Sequence, residues 1–260
     1  MLSESQRDEF SRTGLLRLPG ALPVAEATEM CDRIWQFMAG KHGIDRDDPS
    51  TWTVESPTGF NPLARSGAFA GLDSPTITGA VEDLVGGPAR RRERGRVLVT
   101  FPETGPAWCV PSSAWHFDYV PLVEGVAARP VQLFAALNDV GPRGGGTMVL
   151  TGSHRLVAMY IEERGDPKLS AVRSFVAARD PWVKDLWHGA AEGEDGVEAR
   201  NRRYMDGDTD VDGVRLKVVE LTGGAGDVYV MHSDCFHAKS QNCAGSPRIM
   251  LTGVSAPAGY

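Results

Sequence analysis

A mainly β barrel or jelly roll with flanking helices is the fold class this chain predicts, and three observations carry it. Seven short strand-like runs, at 97–101, 114–120, 131–138, 147–150, 216–221, 227–231 and 249–254, lie between turns rich in Gly and Pro. Helical periodicity is concentrated ahead of them, which suits helices gathered on one flank of a sheet rather than alternating with its strands. The chain has 260 residues, 42% hydrophobic and 23% charged. That is enough for a sizeable core, and barrels of such length commonly form one domain.

In chain order, residues 3–12 carry acidic groups early and read as a helix. Within 23–42, Val24, Ala27, Cys31, Ile34 and Met38 recur at steps of three and four, the stripe of an amphipathic helix against a core. Residues 45–72, with Trp52 and Phe60 embedded among Pro, Gly, Ser and Thr, read as a long irregular loop, and loops of that length are usually functional or mobile. A short helix is expected over 76–84, ahead of Gly86-Gly87-Pro88. In 114–120, Trp115, Phe117 and Tyr119 alternate with Ala114, His116, Asp118 and Val120, the period of a strand with one aromatic face. Residues 141–146 form a turn that leads into a strand and lacks the following helix a phosphate site needs.

Residues 156–215 then interrupt the strand pattern, with 171–178 and 181–189 helical and Trp182, Leu186 and Trp187 able to face inward. Lying between two strand-rich stretches, this insertion is expected to fold over the active-site mouth as a lid and to set substrate choice. Inside it, Asp208-Thr209-Asp210-Val211-Asp212-Gly213 starts like a calcium loop. Its twelfth position is Val219 rather than Glu, and a strand follows where a helix should, so it reads as a solvated acidic turn.

Chemistry concentrates in three places. His116 and Asp118, two apart on a strand, share one face and can close on one ion from one side. The strand after Gly223-Gly224-Ala225-Gly226 delivers His232 and His237, either of which could supply a third ligand. Two histidines and a carboxylate on one face, with open positions opposite, suit non-haem Fe(II). Arg248 then opens an apolar run, either as a surface arginine or as a guanidinium able to grip a dicarboxylate with paired hydrogen bonds.

His116-x-Asp118, the run Gly144-Gly145-Gly146-Thr147-Met148-Val149-Leu150-Thr151-Gly152-Ser153-His154-Arg155, and His237-Ala238-Lys239-Ser240-Gln241-Asn242 with Pro247-Arg248 together resemble the phytanoyl-CoA dioxygenase family of Fe(II)/2-oxoglutarate oxygenases. The family shows H-x-D, then a Gly-Ser-His-Arg turn, then G-D and an apolar strand, then H-x-x-x-x-N, with an arginine eleven residues after the distal histidine. The opening F-x-x-x-G-L-L-R-L-P-G-A-L, from Phe10, is similar to the family's entry helix and first strand.

The resemblance implies a double-stranded β-helix, with His116, Asp118 and His237 as iron ligands and catalytic centre. It implies Arg248 for the distal carboxylate of 2-oxoglutarate and Phe134 lining the co-substrate pocket, and it makes His232 and His154 non-ligands. Substrate oxidation would be coupled to O2 and to decarboxylation of 2-oxoglutarate to succinate and CO2. Asp118 stands where halogenating relatives carry Gly or Ala, so hydroxylation or a related oxidation is implied. Two departures are Thr151 for the usual proline and Lys239 for a small residue, the latter with its direction open.

A small-molecule substrate is expected, with contacts from Trp52, Trp115, Tyr119 and the inserted segment. A formal net charge of -7 argues against nucleic acid, and the basic cluster at 90–96 reads as a loop or helix end. The polar amino terminus, and the lack of any apolar run near the roughly 18 residues of a membrane span, predict a cytoplasmic protein without a membrane partner. Cys31, Cys109, Cys235 and Cys243 show neither a C-x-x-C pair nor a disulfide framework. A homo-oligomer stays open. Two rivals from other classes are a non-catalytic metal or ligand binder on the same barrel, and a cupin-like metalloenzyme without 2-oxoglutarate. Arg248 disfavours the latter, and the complete set of groups disfavours the former.

Overall fold

The computed structural model describes residues 1–92, 95–105, 107–118, 120–165, 167–189 and 191–260. Helix α1 (Glu4–Thr13) begins in a reciprocal capping box between Ser3 and Gln6, which satisfies two otherwise unpaired backbone donors. It stops at Gly14, whose left-handed φ of 69° turns the chain into β1 (Leu15–Leu18). A Cβ at Gly14 would collide with the side chains of Cys235 and His154, so only glycine fits there. Then come α2 (Val24–His42), α3 (Asn61–Arg65), α4 (Pro75–Val85), and the strands β2 (Ala89–Arg91), β3 (Arg96–Thr100), β4 (Val131–Ala136) and β5 (Met148–Thr151). Four helices follow, α5 (Ser153–Arg164), α6 (Leu169–Ala177), α7 (Pro181–His188) and α8 (Gly193–Asn201). The chain closes with β6 (Asp208–Val211), β7 (Val214–Glu220), β8 (Val228–His232), β9 (His237–Ala238) and β10 (Arg248–Pro257).

Two antiparallel sheets result. The larger runs β1-β8-β4-β10-β2 with β3 also on β10, and the smaller runs β6-β7-β5-β9. Alternation along the strands sorts side chains into three apolar layers. Leu16, Leu133, Val230 and Leu251 face outward from the larger sheet and pack under α1, α2 and α4. Phe134, Val149, Tyr229, Met231 and Met250 lie between the sheets. Met148, Leu150, Leu216 and Val218 face outward from the smaller sheet and pack under α5, α6 and α7. This is the predicted mainly β architecture with flanking helices, on a jelly-roll plan.

Several expectations change. Among the described residues of 114–120 there is no strand: only His116 pairs, as a bridge to His237, and Ala114 at φ 61° breaks the extended run. The alternation survives in burial, with Trp115 and Phe117 inside the layer beneath α5–α7. The acidic stretch at 208–213 is solvated as expected, with Asp208, Asp210 and Asp212 exposed, and its turn closes a hairpin between β6 and β7. Asp212 and Gly213, at φ 52° and 76°, take the two left-handed positions that a two-residue hairpin favours. The loop expected over 45–72 contains α3 and two short 3-10 turns. Among the described residues no helix is long and apolar enough to cross a membrane.

Candidate active site

His116, Asp118 and His237 come together. Each offers one ligand atom, and these atoms lie within 4.8 Å of one another. The backbones of His116 and His237 exchange hydrogen bonds of 2.9 and 2.7 Å, so the bridge that replaces the expected strand also fixes the two imidazoles relative to each other. On the other side β9 is held by β5, where Val149 pairs with His237. The Gly-Ser-His turn secures the approach: the Ser153 hydroxyl donates to Leu150 O at 2.6 Å and accepts the Phe236 amide at 2.9 Å.

Both imidazoles are oriented by carbonyls. His116 Nδ1 lies 2.8 Å from Ala114 O and His237 Nδ1 lies 3.1 Å from Cys235 O. A carbonyl only accepts, so each Nδ1 carries the proton and each Nε2 keeps its lone pair for a metal. Burial, reinforced by the neighbouring His116, pushes the His237 pKa down to about 4, which keeps that ring neutral at neutral pH. Asp118 is oriented in turn by Gln132, whose Nε2 donates to Oδ2 at 2.6 Å. The donor set is that of a hard-to-borderline divalent ion with a face left open.

Arg248 lies on β10 opposite Thr100 of β3, buried at 4% exposure. Its Nη2 donates to Thr100 Oγ1 at 2.8 Å, and it makes no ion pair among the described residues. Burial lowers its pKa to about 10, which still leaves it cationic at neutral pH. Asn242 holds the turn before it, donating from Nδ2 to Thr100 O and Ser246 O, both at 2.9 Å. Within one cavity of about 800 Å³, lined by both imidazoles and by Arg248, Gln132, Phe134 and Thr252, three buried polar atoms have no partner among the described residues: Arg248 Nε, Gln132 Oε1 and Thr252 Oγ1. Buried polar atoms left in this way are costly, and their presence in one lining marks a cavity built for polar ligands. That fits a keto-diacid beside a metal.

The other predicted residues divide. Phe134 lines the cavity, edge-on to His237 at 6.3 Å. Trp115 does not: it is buried in the layer beneath, its Nε1 donating to Pro111 O, because the face that carries Trp115 and Phe117 turns away from the ligand face. Trp52 stacks on Phe101 and packs on Trp35, away from the lining. Tyr119 lies outside the described residues. Lys239 lines the cavity and pairs with Glu55 at 2.8 Å. His232 and His154 form a separate pair, ring centroids 4.8 Å apart.

The expected lid also differs. Among the described residues, none of 156–215 lines the cavity, because those helices cover the apolar outer face of the smaller sheet. The lining comes instead from 56–61, 64 and 65. The insertion still acts on the site, from behind. Arg200 of α8 donates to the carbonyls of Val110, Pro111, Asp185, Leu186 and Gly189. Asn201 bonds the Val110 amide and Trp108 O. The stretch leading to His116 is thus pinned to α7 and α8. Gln132, Thr100 and Thr252 were not foreseen, although a polar Gln two residues before Phe134 in an apolar strand was a readable signal.

A family model described as phytanoyl-CoA dioxygenase (PhyH) matches residues 10–250. No curated protein matches the chain in sequence. Several solved structures share its fold. The epimerase SnoN in complex with Fe3+, alpha ketoglutarate and nogalamycin RO superposes with a TM-score of 0.60 at 20% identity, over 98% of this chain and 83% of that one. The carbocyclase SnoK from nogalamycin biosynthesis gives 0.57 at 19%, over 99% and 85%. HygX from Streptomyces hygroscopicus with nickel and 2-oxoglutarate bound gives 0.52 at 16%, over 100% and 89%.

Proposed function

The chain belongs to the phytanoyl-CoA dioxygenase family, and from that premise we propose that it is a non-haem Fe(II)- and 2-oxoglutarate-dependent dioxygenase acting on a small molecule. In this reading His116, Asp118 and His237 hold the iron, and Arg248 with Thr100 seats the distal carboxylate of 2-oxoglutarate. Iron with 2-oxoglutarate and O2 supplies the oxidising power for a substrate C–H bond, with succinate and CO2 released.

The chain's own work is positioning. Ala114 O and Cys235 O hold the imidazoles in their ligating tautomer. Gln132 keeps the Asp118 carboxylate turned and, within the lining of the cavity, leaves its Oε1 without a partner among the described residues. Arg248 provides a permanent charge in a place shielded from water, where a paired carboxylate is held far more firmly than at a surface. The observation that carries the reading is that Arg248 Nε and Gln132 Oε1 are unpartnered in the same cavity as the two imidazoles. The proposed outcome is hydroxylation. Relatives in fold described as an epimerase and a carbocyclase make the product something the test must resolve. Four free cysteines suit the reducing cytoplasm as its setting.

Anaerobic protein given Fe(II) and 2-oxoglutarate should develop the weak visible charge-transfer band of the chelate, and should release succinate in air. Neither appearing would overturn the proposal. His116→Ala or Asp118→Ala should abolish both signals. Arg248→Ala should raise the KM for 2-oxoglutarate by about 10²-fold, the loss of a buried charge-assisted pair, with a smaller effect on kcat.

A further inference from the structure

This protein carries a formal net charge of -7. Its cavity nevertheless has Arg65, Arg96, Lys239 and Arg248 in its lining, and among the described residues no Asp or Glu. Arg248 is committed to the co-substrate in the reading above, and Lys239 is paired with Glu55. Arg65, closing α3, and Arg96, opening β3, are exposed at the mouth and form no ion pair among the described residues. Their charge faces a cavity whose walls include Phe60, Ala64, Leu98 and Phe134.

Register separates this positive mouth from the co-substrate seat. Thr100 is opposite Arg248 and Arg96 is opposite Thr252, so along the same inner face the second arginine sits four residues away, about 13 Å in backbone position. Thr252, 2% exposed and directly across from Arg96, lines the same cavity and has a hydroxyl with no partner among the described residues. A guanidinium at the rim and a buried hydroxyl just inside it are donors for one anionic oxygen group. Low-dielectric walls focus their field on what enters.

Resting on the oxygenase reading, we propose that the substrate carries an acid group, a carboxylate or phosphate ester, held by Arg96 and Arg65 with Thr252 at the mouth. Its apolar body extends along Leu98 and Phe134 toward the metal trio. This specifies a class of substrate, an amphipathic acid, for which neutral analogues are poor replacements. It also assigns the two arginines to specificity rather than to the co-substrate.

The test uses phenylacetate, phenyl phosphate and the neutral phenylacetamide as probes. Binding is followed anaerobically by perturbation of the charge-transfer band of the Fe(II)- and 2-oxoglutarate-loaded protein, and in parallel by ligand-observed NMR without iron. At least one acid should bind about tenfold more tightly than the amide, and the two acids tell carboxylate from phosphate recognition. The double variant R65Q/R96Q should lose the preference while keeping its affinity for 2-oxoglutarate. R248Q should lose 2-oxoglutarate and keep the preference. Equal binding of acids and amide, no binding of either acid at about millimolar concentration, or a preference that vanishes in R248Q but survives in R65Q/R96Q would each overturn the proposal. A missing charge-transfer band in the wild type would instead strike the cofactor reading, while the NMR comparison still decides this one.

Discussion

The segment 56–65 and the helices α5–α8 make an instructive pair. The first is short, an irregular stretch running into the single turn and a half of α3, yet it lines the mouth of the cavity. The second is long and helical and contributes no described residue to the lining, although its place in the chain suggested a lid. The difference lies in which face of the barrel each covers. The smaller sheet turns Met148, Leu150, Leu216 and Val218 outward, and that apolar surface needs a helical cover. The cavity opens on the inner face, where 56–65 passes. Helices recruited to bury an apolar face become scaffold, while a segment anchored in the core by Phe60, Leu63 and Ala64 keeps its other residues at the opening.

The largest expected effect tests the scaffold. Arg200 is 6% exposed and its guanidinium serves five carbonyls, two of them in the stretch that leads to His116. Arg200→Met should lower unfolding free energy by about 4 kcal/mol, the scale for removing a buried charged donor whose acceptors stay behind. It should also weaken Fe(II) binding by about tenfold, as loss of ligand orientation does. Urea titration and iron titration of the folded fraction measure the two separately. Undiminished iron affinity in the folded fraction would reduce the insertion to a passive cover.

An acid titration comes next in size, and it too belongs to the helical side, since 56–65 has no histidine. His154, in the first turn of α5, reaches Ser11 O within α1, tying the two helical layers. Burial, then the neighbouring His232, depresses its pKa from 6.5 to about 3. With the folded value below the unfolded one, the unfolded chain takes up the proton first. Stability is therefore full above pH 6.5 and is lost progressively as pH falls toward 3. By about pH 4 the loss from this group should be on the order of 3 kcal/mol. His154→Gln should flatten that slope in urea midpoints measured across the range on iron-free protein; an unchanged slope would mean the burial is not felt.

The contrast between the two regions also sets what could be read beforehand. The apolar runs at 131–138 and 249–254 locate the central strands, because a strand buried on both faces leaves a dense apolar run whatever it pairs with. His116, Asp118 and His237 stand out as candidates because ligand chemistry restricts residue type; their ligand atoms lie within 4.8 Å of one another, and the two imidazoles share a cavity with Arg248. Trp115 was misread as a substrate contact because periodicity says that residues share a face and leaves open which side of the sheet that face meets; Trp52, in the stretch read as a loop, carried no periodic signal and packs on Trp35 and Phe101. Helix α8, Gly193–Asn201, was not foreseen. With two glycines and little amphipathicity its own sequence argues weakly for a helix, and its tertiary bonds through Arg200 and Asn201 supply what propensity does not. The mouth was hidden for a related reason: Arg65, Arg96 and Lys239 are far apart in sequence and become a cluster only when α3, β3 and β9 converge.

The smallest predicted effect concerns that mouth. Glu55 and Lys239 form an exposed pair at 2.8 Å, with side chains 82% and 43% accessible, and surface pairs of this kind add little to stability. Glu55→Gln should leave the thermal midpoint unmoved, in contrast to any disturbance of Arg200. Its consequence should appear in binding instead. Without its carboxylate partner the Lys239 ammonium is free to turn its charge on the cavity it lines, and phenylacetate affinity should rise by about twofold, the scale of an exposed charge in water. The rise should shrink as salt is added, because screening acts on exposed charges first. Phenylacetamide should show no change. A drop in melting temperature with no change in acid affinity would reverse the assignment, making 56–65 a structural strap and moving selectivity elsewhere in the barrel.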